Sequence, residues 1–101
     1  MRAVIVRYRV KPEMAAENER LVRAVYAELQ AVKPAGLSYQ THQLADGVSF
    51  VHVAMYGDGV VESPLPGLAA FKAFTAEIKA RCDELPVTQE LQPIGSFSSF
   101  G

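Results

Sequence analysis

The sequence predicts an α+β domain with the element order βαββαβ, in which two helices cover one face of a four-stranded antiparallel sheet. Apolar residues alternate in four short runs, and two stretches between these runs repeat apolar residues at helical spacing. With 101 residues, 50% of them hydrophobic, the chain has the length and core of one domain spanning residues 1–101. Because two helices cover only one sheet face, we expect a second copy of the chain to cover the other.

The first predicted strand spans residues 2–10, with Arg7 and Arg9 on one side. Tyr8 is on the opposite, valine-rich side, which we expect to face the helices and to form part of the core. Pro12 then suits the start of a helix. The apolar positions of this helix follow helical spacing and are Met14, Leu21, Val22, Val25, Leu29 and Val32. Asn18 falls inside this stripe. We therefore expect its amide to be hydrogen-bonded, most simply to the backbone of a neighbouring loop.

Residues 37–44 and 48–56 predict a hairpin, for which two registers are open. A two-residue Asp46-Gly47 turn would pair Ala45 with Val48 and place the two histidines on opposite faces. A three-residue loop would instead pair Leu44 with Val48. The two histidines would then share a mixed face with the aromatic side chains of the third strand. We favour the second register because it gathers an apolar face beneath the helices; that face carries Val51, Val53, Met55, Leu37, Tyr39 and Thr41.

The second half of the chain predicts a loop, a helix and a last strand. Glycines and prolines indicate the loop over residues 57–66. The helix is expected to continue to Pro86, with Glu77 and Arg81 paired on its outer side. Its apolar stripe is Leu68, Phe71, Phe74, Thr75, Ile78, Cys82 and Leu85. The last strand is expected over residues 87–94, where Pro93 indicates an edge or a bulge. In the tail, Phe97 and Phe100 are expected to dock on the body or on a partner.

Composition argues against several classes of function. Ten basic and eleven acidic residues give a net charge of −1 without a basic patch, so we expect no nucleic-acid partner. No run approaches the roughly 20 apolar residues of a membrane helix, and no cleavable signal pattern is found, so we expect no membrane association. Cys82 is the single cysteine and cannot form an intrachain disulfide. This favours a reducing compartment and a cytoplasmic location.

Three segments resemble the antibiotic biosynthesis monooxygenase family. They are residues 8–12 (YRVKP), 33–39 (KPAGLSY) and 50–56 (FVHVAMY), together with the helix that follows. The resemblance implies a ferredoxin-like protomer and a dimeric α+β barrel, a homodimer joined through the open sheet face. It also implies activities such as cofactor-independent oxygenation of polycyclic phenols, haem degradation or quinol oxidation. We expect no bound cofactor.

The chain departs from the family's pattern at several positions. Ala54 or Met55 stands where an acidic residue is common near the end of the third strand, and Tyr56 is the nearest equivalent of a common tryptophan. Phe74 occupies the place of a histidine common early in the second helix. The haem-degrading members use an asparagine on the first strand, whereas the only asparagine here is Asn18, in a helix. Haem cleavage by that arrangement is therefore excluded.

The candidate catalytic residues are His52, His42 and Arg7. A neutral imidazole is suited to removing a phenolic proton, and an arginine facing a cavity would hold the resulting anion. The candidate substrate-binding residues are Phe50, Tyr56 and Phe74, because aromatic side chains line apolar pockets. The alternatives are that the histidines are hydrogen-bonded interface residues and that Arg7 is a solvated residue at the mouth of the barrel. We expect no metal site, because no further Cys, Asp or Glu falls beside the histidines on the strands.

Three hypotheses follow. The first is a cofactor-independent monooxygenase or related enzyme that acts on a phenol- or quinol-like substrate in the barrel cavity. The second is a non-catalytic dimeric barrel that binds a small apolar or aromatic molecule or serves only in assembly. The third is a small isomerase or lyase of the same fold that depends on a histidine.

Overall fold

A computed structural model describes residues 1–100 and contains a four-stranded antiparallel sheet in the order β2-β3-β1-β4. The strands are β1 (Arg2–Val10), β2 (Leu37–Gln43), β3 (Ser49–Tyr56) and β4 (Cys82–Leu91). The helices are α1 (Ala15–Val32), α2 (Ala69–Ala76) and α3 (Ile78–Arg81), with short 3-10 turns at Pro12–Met14 and Leu65–Gly67. The predicted ferredoxin-like α+β fold is confirmed, with the second helix divided in two.

The helices pack on the sheet face that carries Tyr8 and Phe50. Val22 and Val25 of α1 and Phe74 of α2 join these two side chains in one buried cluster. The expectation that the valine-rich side of β1 faces the helices is therefore confirmed. Burial of this apolar face is the main force that holds the helices on the sheet.

The expectation of one helix reaching Pro86 is wrong. The last helical residue is Arg81, and Cys82 already pairs with Val10 as the first residue of β4. The Arg81 side chain does not pair with Glu77 on the outside; it is 2% exposed. The register of β4 against β1 shifts on either side of Arg9, close to Pro86. A proline, which has no N–H to donate, is tolerated at such an irregularity on an edge strand.

The favoured hairpin register is also wrong. β3 pairs His52 with Thr41, and Val51 with His42, which is the phase of the two-residue-turn alternative. In this phase β3 directs its aromatic residues and His52 toward the helices. Larger side chains bury more apolar area than the valines on the opposite side, so this phase fills the space under the helices better.

The turn itself contributes to this register. The Asp46 carboxylate accepts hydrogen bonds from the backbone N–H groups of Val48 and Ser49 at 2.9 and 2.8 Å. The N–H of Gly47 donates to the carbonyl oxygen of Leu44 at 3.0 Å, and Gly47 has a φ of +76°, which a glycine adopts without a Cβ clash. The hydrogen bonds of the loop between β2 and β3 are therefore consistent with the pairing of His52 with Thr41.

The face of the sheet opposite the helices remains accessible; it carries mainly apolar side chains on β1, β3 and β4 and polar ones on β2. Met55, Val87 and Leu91 on this face are 37%, 47% and 40% exposed. The other residues whose side chains share it include Ala3, Ile5, Arg7, His42, Val51 and Val53.

In the tail, Phe97 and Phe100 are 91% and 94% exposed, so their expected docking on the body is wrong and docking on a partner stays a prediction. Among residues 1–100, no helix combines the length and apolar character needed to cross a membrane.

Candidate active site

The candidate site residues separate onto two sides of the sheet. His52, Phe50 and Tyr56 lie on β3 beneath the helices, and the ring of Phe74 lies 5.3 Å from that of His52. The expectation that both histidines share one face with these aromatic residues is wrong, because the hairpin adopts the other phase.

His42 and Arg7 lie together on the open face. Val51 of β3 pairs with both of them, so they occupy one row across the sheet. The exposed His42 ring has Nε2 3.1 Å from Oε1 of Gln40. Arg7 lines a groove of about 400 Å3 together with Glu84 and Leu85, among others. The sheet therefore separates both residues from His52.

A hydrogen-bonded network surrounds His52, which is 4% exposed. Its Nε2 lies 2.8 Å from the hydroxyl of Tyr8. Its Nδ1 lies 2.8 Å from the hydroxyl of Tyr39 and 3.0 Å from Oγ1 of Thr41. Thr41 Oγ1 in turn lies 2.8 Å from the hydroxyl of Tyr26 on α1. Both ring nitrogens are therefore satisfied by protein groups.

The network continues from Tyr8 to a buried arginine. Nδ2 of Asn18 donates to the Tyr8 hydroxyl at 2.9 Å, and Nε of Arg81 donates to Oδ1 of Asn18 at 3.2 Å. The Arg81 guanidinium also donates to the carbonyl oxygen of Phe74 at 2.6 Å. Asn18 is fully buried, as expected, but its partners are two side chains and not the backbone of a loop. Arg81 thus links the end of α3 to α1 and to β1.

Burial keeps the centre of the network uncharged at neutral pH. Removal from water lowers the pKa of His52 to about 4, because the imidazolium is poorly solvated there. The same desolvation raises the pKa values of the Tyr8 and Tyr39 hydroxyls well above their ordinary value. His52, Tyr8 and Tyr39 are therefore neutral at pH 7.

A cavity of about 210 Å3 opens beside His52, between the sheet and the segment that leads into α2. Most of its wall is apolar. Its lining residues are Val4, Val6, Tyr39, His52, Ala54, Tyr56, Ser63, Leu65, Pro66 and Phe71. The hydroxyl of Tyr56 donates a hydrogen bond to Oγ of Ser63 at 2.9 Å, and this pair is one polar group of the wall. His52 and Tyr39 are the other, and the cavity is suited to a small, largely apolar molecule.

Most of this network does not follow from the sequence pattern. The pattern predicts Tyr8 and Tyr39 for the core, where they lie, but it assigns no role to their hydroxyl groups. It predicts Arg81 on the outer side of a helix. The one available signal was Asn18, since an amide within an apolar stripe requires polar partners.

Stability is expected to decrease below neutral pH because of His52. Its pKa is about 4 when folded and 6.5 ordinarily, so between these values the unfolded chain binds a proton that the folded protein does not. As the pH falls through this window, the free energy of unfolding should decrease by up to about 3 kcal/mol; above it His52 contributes no pH dependence.

Urea unfolding at several pH values measures this decrease. The His42→Gln variant should keep the slope between pH 6.5 and 5, and the His52→Gln variant should lose it. An equal slope in both would contradict the burial of a neutral His52.

No family model matches the chain, and no curated protein matches it. Solved structures do match. A crystal structure of an antibiotic biosynthesis monooxygenase has a TM-score of 0.77 at 18% identity, covering 94% of this chain and 100% of that one. A Mycobacterium tuberculosis protein has a TM-score of 0.75 at 22% identity, covering 96% and 98%. A Caulobacter crescentus protein provisionally described as an antibiotic biosynthesis monooxygenase has a TM-score of 0.71 at 25% identity, covering 93% and 90%.

These matches extend over 90% or more of each chain, so the similarity concerns the fold of the whole domain. The identities are low, and what they establish is the fold. The chain is therefore similar in fold to the antibiotic biosynthesis monooxygenases, and the resemblance inferred from its sequence is confirmed at that level.

Proposed function

We propose that this protein is a small-molecule enzyme of the cofactor-independent monooxygenase type, acting on a phenol- or quinol-like substrate. The observation that carries the proposal is the apolar cavity with the neutral Tyr39–His52 pair in its wall. The similarity in fold to a protein named antibiotic biosynthesis monooxygenase supports it. We place the proposed site between the sheet and α2, whereas the sequence led us to expect a site between two facing sheets; that shared interior stays a prediction.

The size of the cavity limits the substrate. Pockets for drug-sized ligands measure roughly 300–1,000 Å3, whereas this one measures about 210 Å3. A substrate with one or two rings therefore fits the proposal better than a large polycycle. The apolar wall would hold the ring, and Tyr39 would contact the ring oxygen.

The chemistry would require the substrate anion. A phenolate, whose proton has been released to water, can pass one electron to O2, giving a phenoxyl radical and superoxide. The two combine at a ring carbon that bears hydrogen, and the resulting peroxide anion takes a proton from water to give a hydroperoxide. Loss of water from this hydroperoxide leaves a quinone. The substrate is oxidised and O2 is reduced, with one oxygen atom retained in the product and one released as water. The protein would hold the ring, stabilise its anion and exclude bulk water.

His52 is assigned to positioning Tyr39 in this scheme. Both of its ring nitrogens are hydrogen-bonded to protein side chains, so a substrate proton could reach it only through the Tyr39 or Thr41 hydroxyl. A lowered imidazole pKa also makes it a weak base. His42 and Arg7 lie on the open face, so a role for them would belong to the interior shared with a partner protomer.

A non-catalytic binding protein is the second candidate. It is favoured by the hydrogen bonds that occupy both ring nitrogens of His52. A buried histidine with a structural role needs such partners. In that case the cavity would bind a small aromatic molecule without turnover.

Oxygen uptake with one- and two-ring phenols and quinols tests the proposal. The Tyr39→Phe variant should lower the rate about tenfold or more, because it removes one hydrogen bond to the developing anion. The Tyr26→Phe variant is the matched control: its hydroxyl contacts Thr41 and does not line the cavity, so uptake should stay within about twofold. Saturable binding of the same compounds without oxygen uptake would favour the second candidate.

We also propose a homodimer joined through the open sheet face. Ile5 and Val53 pair directly at the centre of this face, flanked by half-exposed apolar side chains of β3 and β4. An apolar surface of this kind is rare on monomers unless it binds something. The exposed Phe97 and Phe100 would then contact the partner.

A further inference from the structure

We propose that Arg81, acting through Asn18 and Tyr8, holds His52 in the tautomer that carries its proton on Nδ1, so that the cavity binds ligands by an oxygen that accepts a hydrogen bond. This inference rests on the proposed function only for the identity of the ligand class, which would be a phenolate or a quinone carbonyl and not a neutral phenol.

The direction of the hydrogen bonds begins at Arg81. A guanidinium can only donate, so the Asn18 atom 3.2 Å from Nε of Arg81 must be its carbonyl oxygen. This fixes the orientation of the Asn18 amide, which is otherwise ambiguous. The NH2 group of Asn18 therefore points to Tyr8, whose hydroxyl oxygen lies 2.9 Å away and must accept.

Tyr8 passes this direction to His52. Since its oxygen already accepts from Asn18, its own proton is free to be donated, and the partner within reach is Nε2 of His52 at 2.8 Å. If Nε2 carried a proton instead, Tyr8 would accept twice and its own buried proton would find no acceptor among the side chains of residues 1–100. Leaving a buried donor unsatisfied is costly. Nε2 is therefore the acceptor and Nδ1 carries the proton.

The Nδ1 proton then determines what the cavity offers to a ligand. Nδ1 donates toward the hydroxyl oxygens of Tyr39 and Thr41 at 2.8 and 3.0 Å. Tyr39 cannot donate to a nitrogen that already carries a proton, so its hydroxyl proton turns either to the neighbouring Thr41 hydroxyl or into the cavity, which Tyr39 also lines. A ligand oxygen in the cavity competes with Thr41 for this proton. A phenolate or carbonyl oxygen accepts such a bond, and charge on the oxygen strengthens it.

Nitrogen-15 NMR of the His42→Gln variant tests the tautomer directly, because His52 is then the only histidine. We expect one-bond proton coupling at Nδ1 and none at Nε2 at pH 7. A proton on Nε2 in this protein would overturn the inference, whether or not the enzyme turns over any substrate.

The Asn18→Asp variant should reverse the relay. A carboxylate keeps the bond from Arg81 but can only accept from Tyr8, so the Tyr8 oxygen would become the acceptor for Nε2–H. We expect the proton to move from Nδ1 to Nε2. A folded Asn18→Asp protein with an unchanged tautomer would contradict the relay. If this variant does not fold, the tautomer of the His42→Gln protein and the ligand test below still decide.

The ligand test uses 4-nitrophenol, whose absorbance distinguishes phenol from phenolate. At a fixed pH where both forms coexist, the unmodified protein should bind the phenolate and increase its share. The Tyr39→Phe variant should weaken phenolate binding about tenfold or more, since a hydrogen bond to a charged oxygen is lost. The Tyr26→Phe variant should bind as the unmodified protein does. Preferential binding of the neutral phenol would overturn the ligand class, while phenolate binding without oxygen uptake would refute only the proposed monooxygenase activity.

Discussion

Replacement of Phe74 by alanine is expected to lower the free energy of unfolding by about 3–5 kcal/mol, the range found when a buried phenylalanine is truncated in a packed core. Phe74 is 5% exposed, and its ring lies 5.3 Å from that of His52 and 6.2 Å from that of Tyr8. The guanidinium of Arg81 also lies over it, 5.4 Å from the ring centroid. Truncation would leave a void that these neighbours cannot fill without breaking their hydrogen bonds. Urea unfolding with a constant slope would measure the loss.

The Phe97→Ala variant is the matched control for this measurement. It makes the same chemical change at a side chain that is 91% exposed, so the free energy of unfolding should change by less than about 0.5 kcal/mol in the monomer. Equal losses in both variants would mean that Phe74 is not part of the core. A Phe74→Ala protein of unchanged stability with weakened ligand binding would instead support the sequence-based assignment of Phe74 to substrate binding.

Replacement of Val53 by aspartate is expected to abolish the proposed dimer. Val53 lies on the open face at the centre of the sheet, opposite Ile5 on β1. A carboxylate there would have to lose its water in each protomer when the two faces meet, and this costs several kcal/mol. Such a cost corresponds to a rise in the dimer dissociation constant of about a hundredfold or more. Sedimentation velocity at micromolar concentrations should show a dimer before the substitution and a monomer after it.

The Val61→Asp variant tests whether the added charge alone disrupts association. Val61 is 83% exposed in the loop that precedes α2, away from the open face. This variant should sediment as the unmodified protein does. If the unmodified protein is itself a monomer at these concentrations, or if Val53→Asp remains dimeric, the open face is not the interface.

The assignment of the hairpin shows where sequence reasoning reaches its limit. The pattern of Ser49–Tyr56 identified a strand correctly, but both of its faces are largely apolar, and a shift of one residue exchanges them. The residue types alone do not show whether the valines or the aromatic residues of β3 face the helices. The pairing of Tyr8 with Phe50 across β1 and β3, together with the space beneath α1 and α2, made that choice.

The end of the second helix shows the same limit in another form. Residues 77–85 fit a helical stripe, yet Cys82 pairs with Val10 and extends the sheet. Helical propensity is a weak preference, and a long strand beside β1 satisfies more backbone groups than a further helical turn at the surface. Because the helix ends at Arg81, the side chain of Arg81 points into the core and donates to Asn18 and to the carbonyl oxygen of Phe74. On the outer side of a longer helix the guanidinium would lie in water, and the network that reaches His52 would not form.

Three features follow from local sequence pattern: the order of strands and helices, the side of β1 that faces the core and the need for partners at Asn18. These depend on periodicity and on the chemistry of single residues, which act locally along the chain. Three others follow only from tertiary contacts: the burial of His52, its connection to Arg81 through Asn18 and Tyr8, and the cavity beside Tyr39. Those features depend on the phase of strand pairing and on contacts between residues 10 to 63 positions apart, which no local pattern encodes.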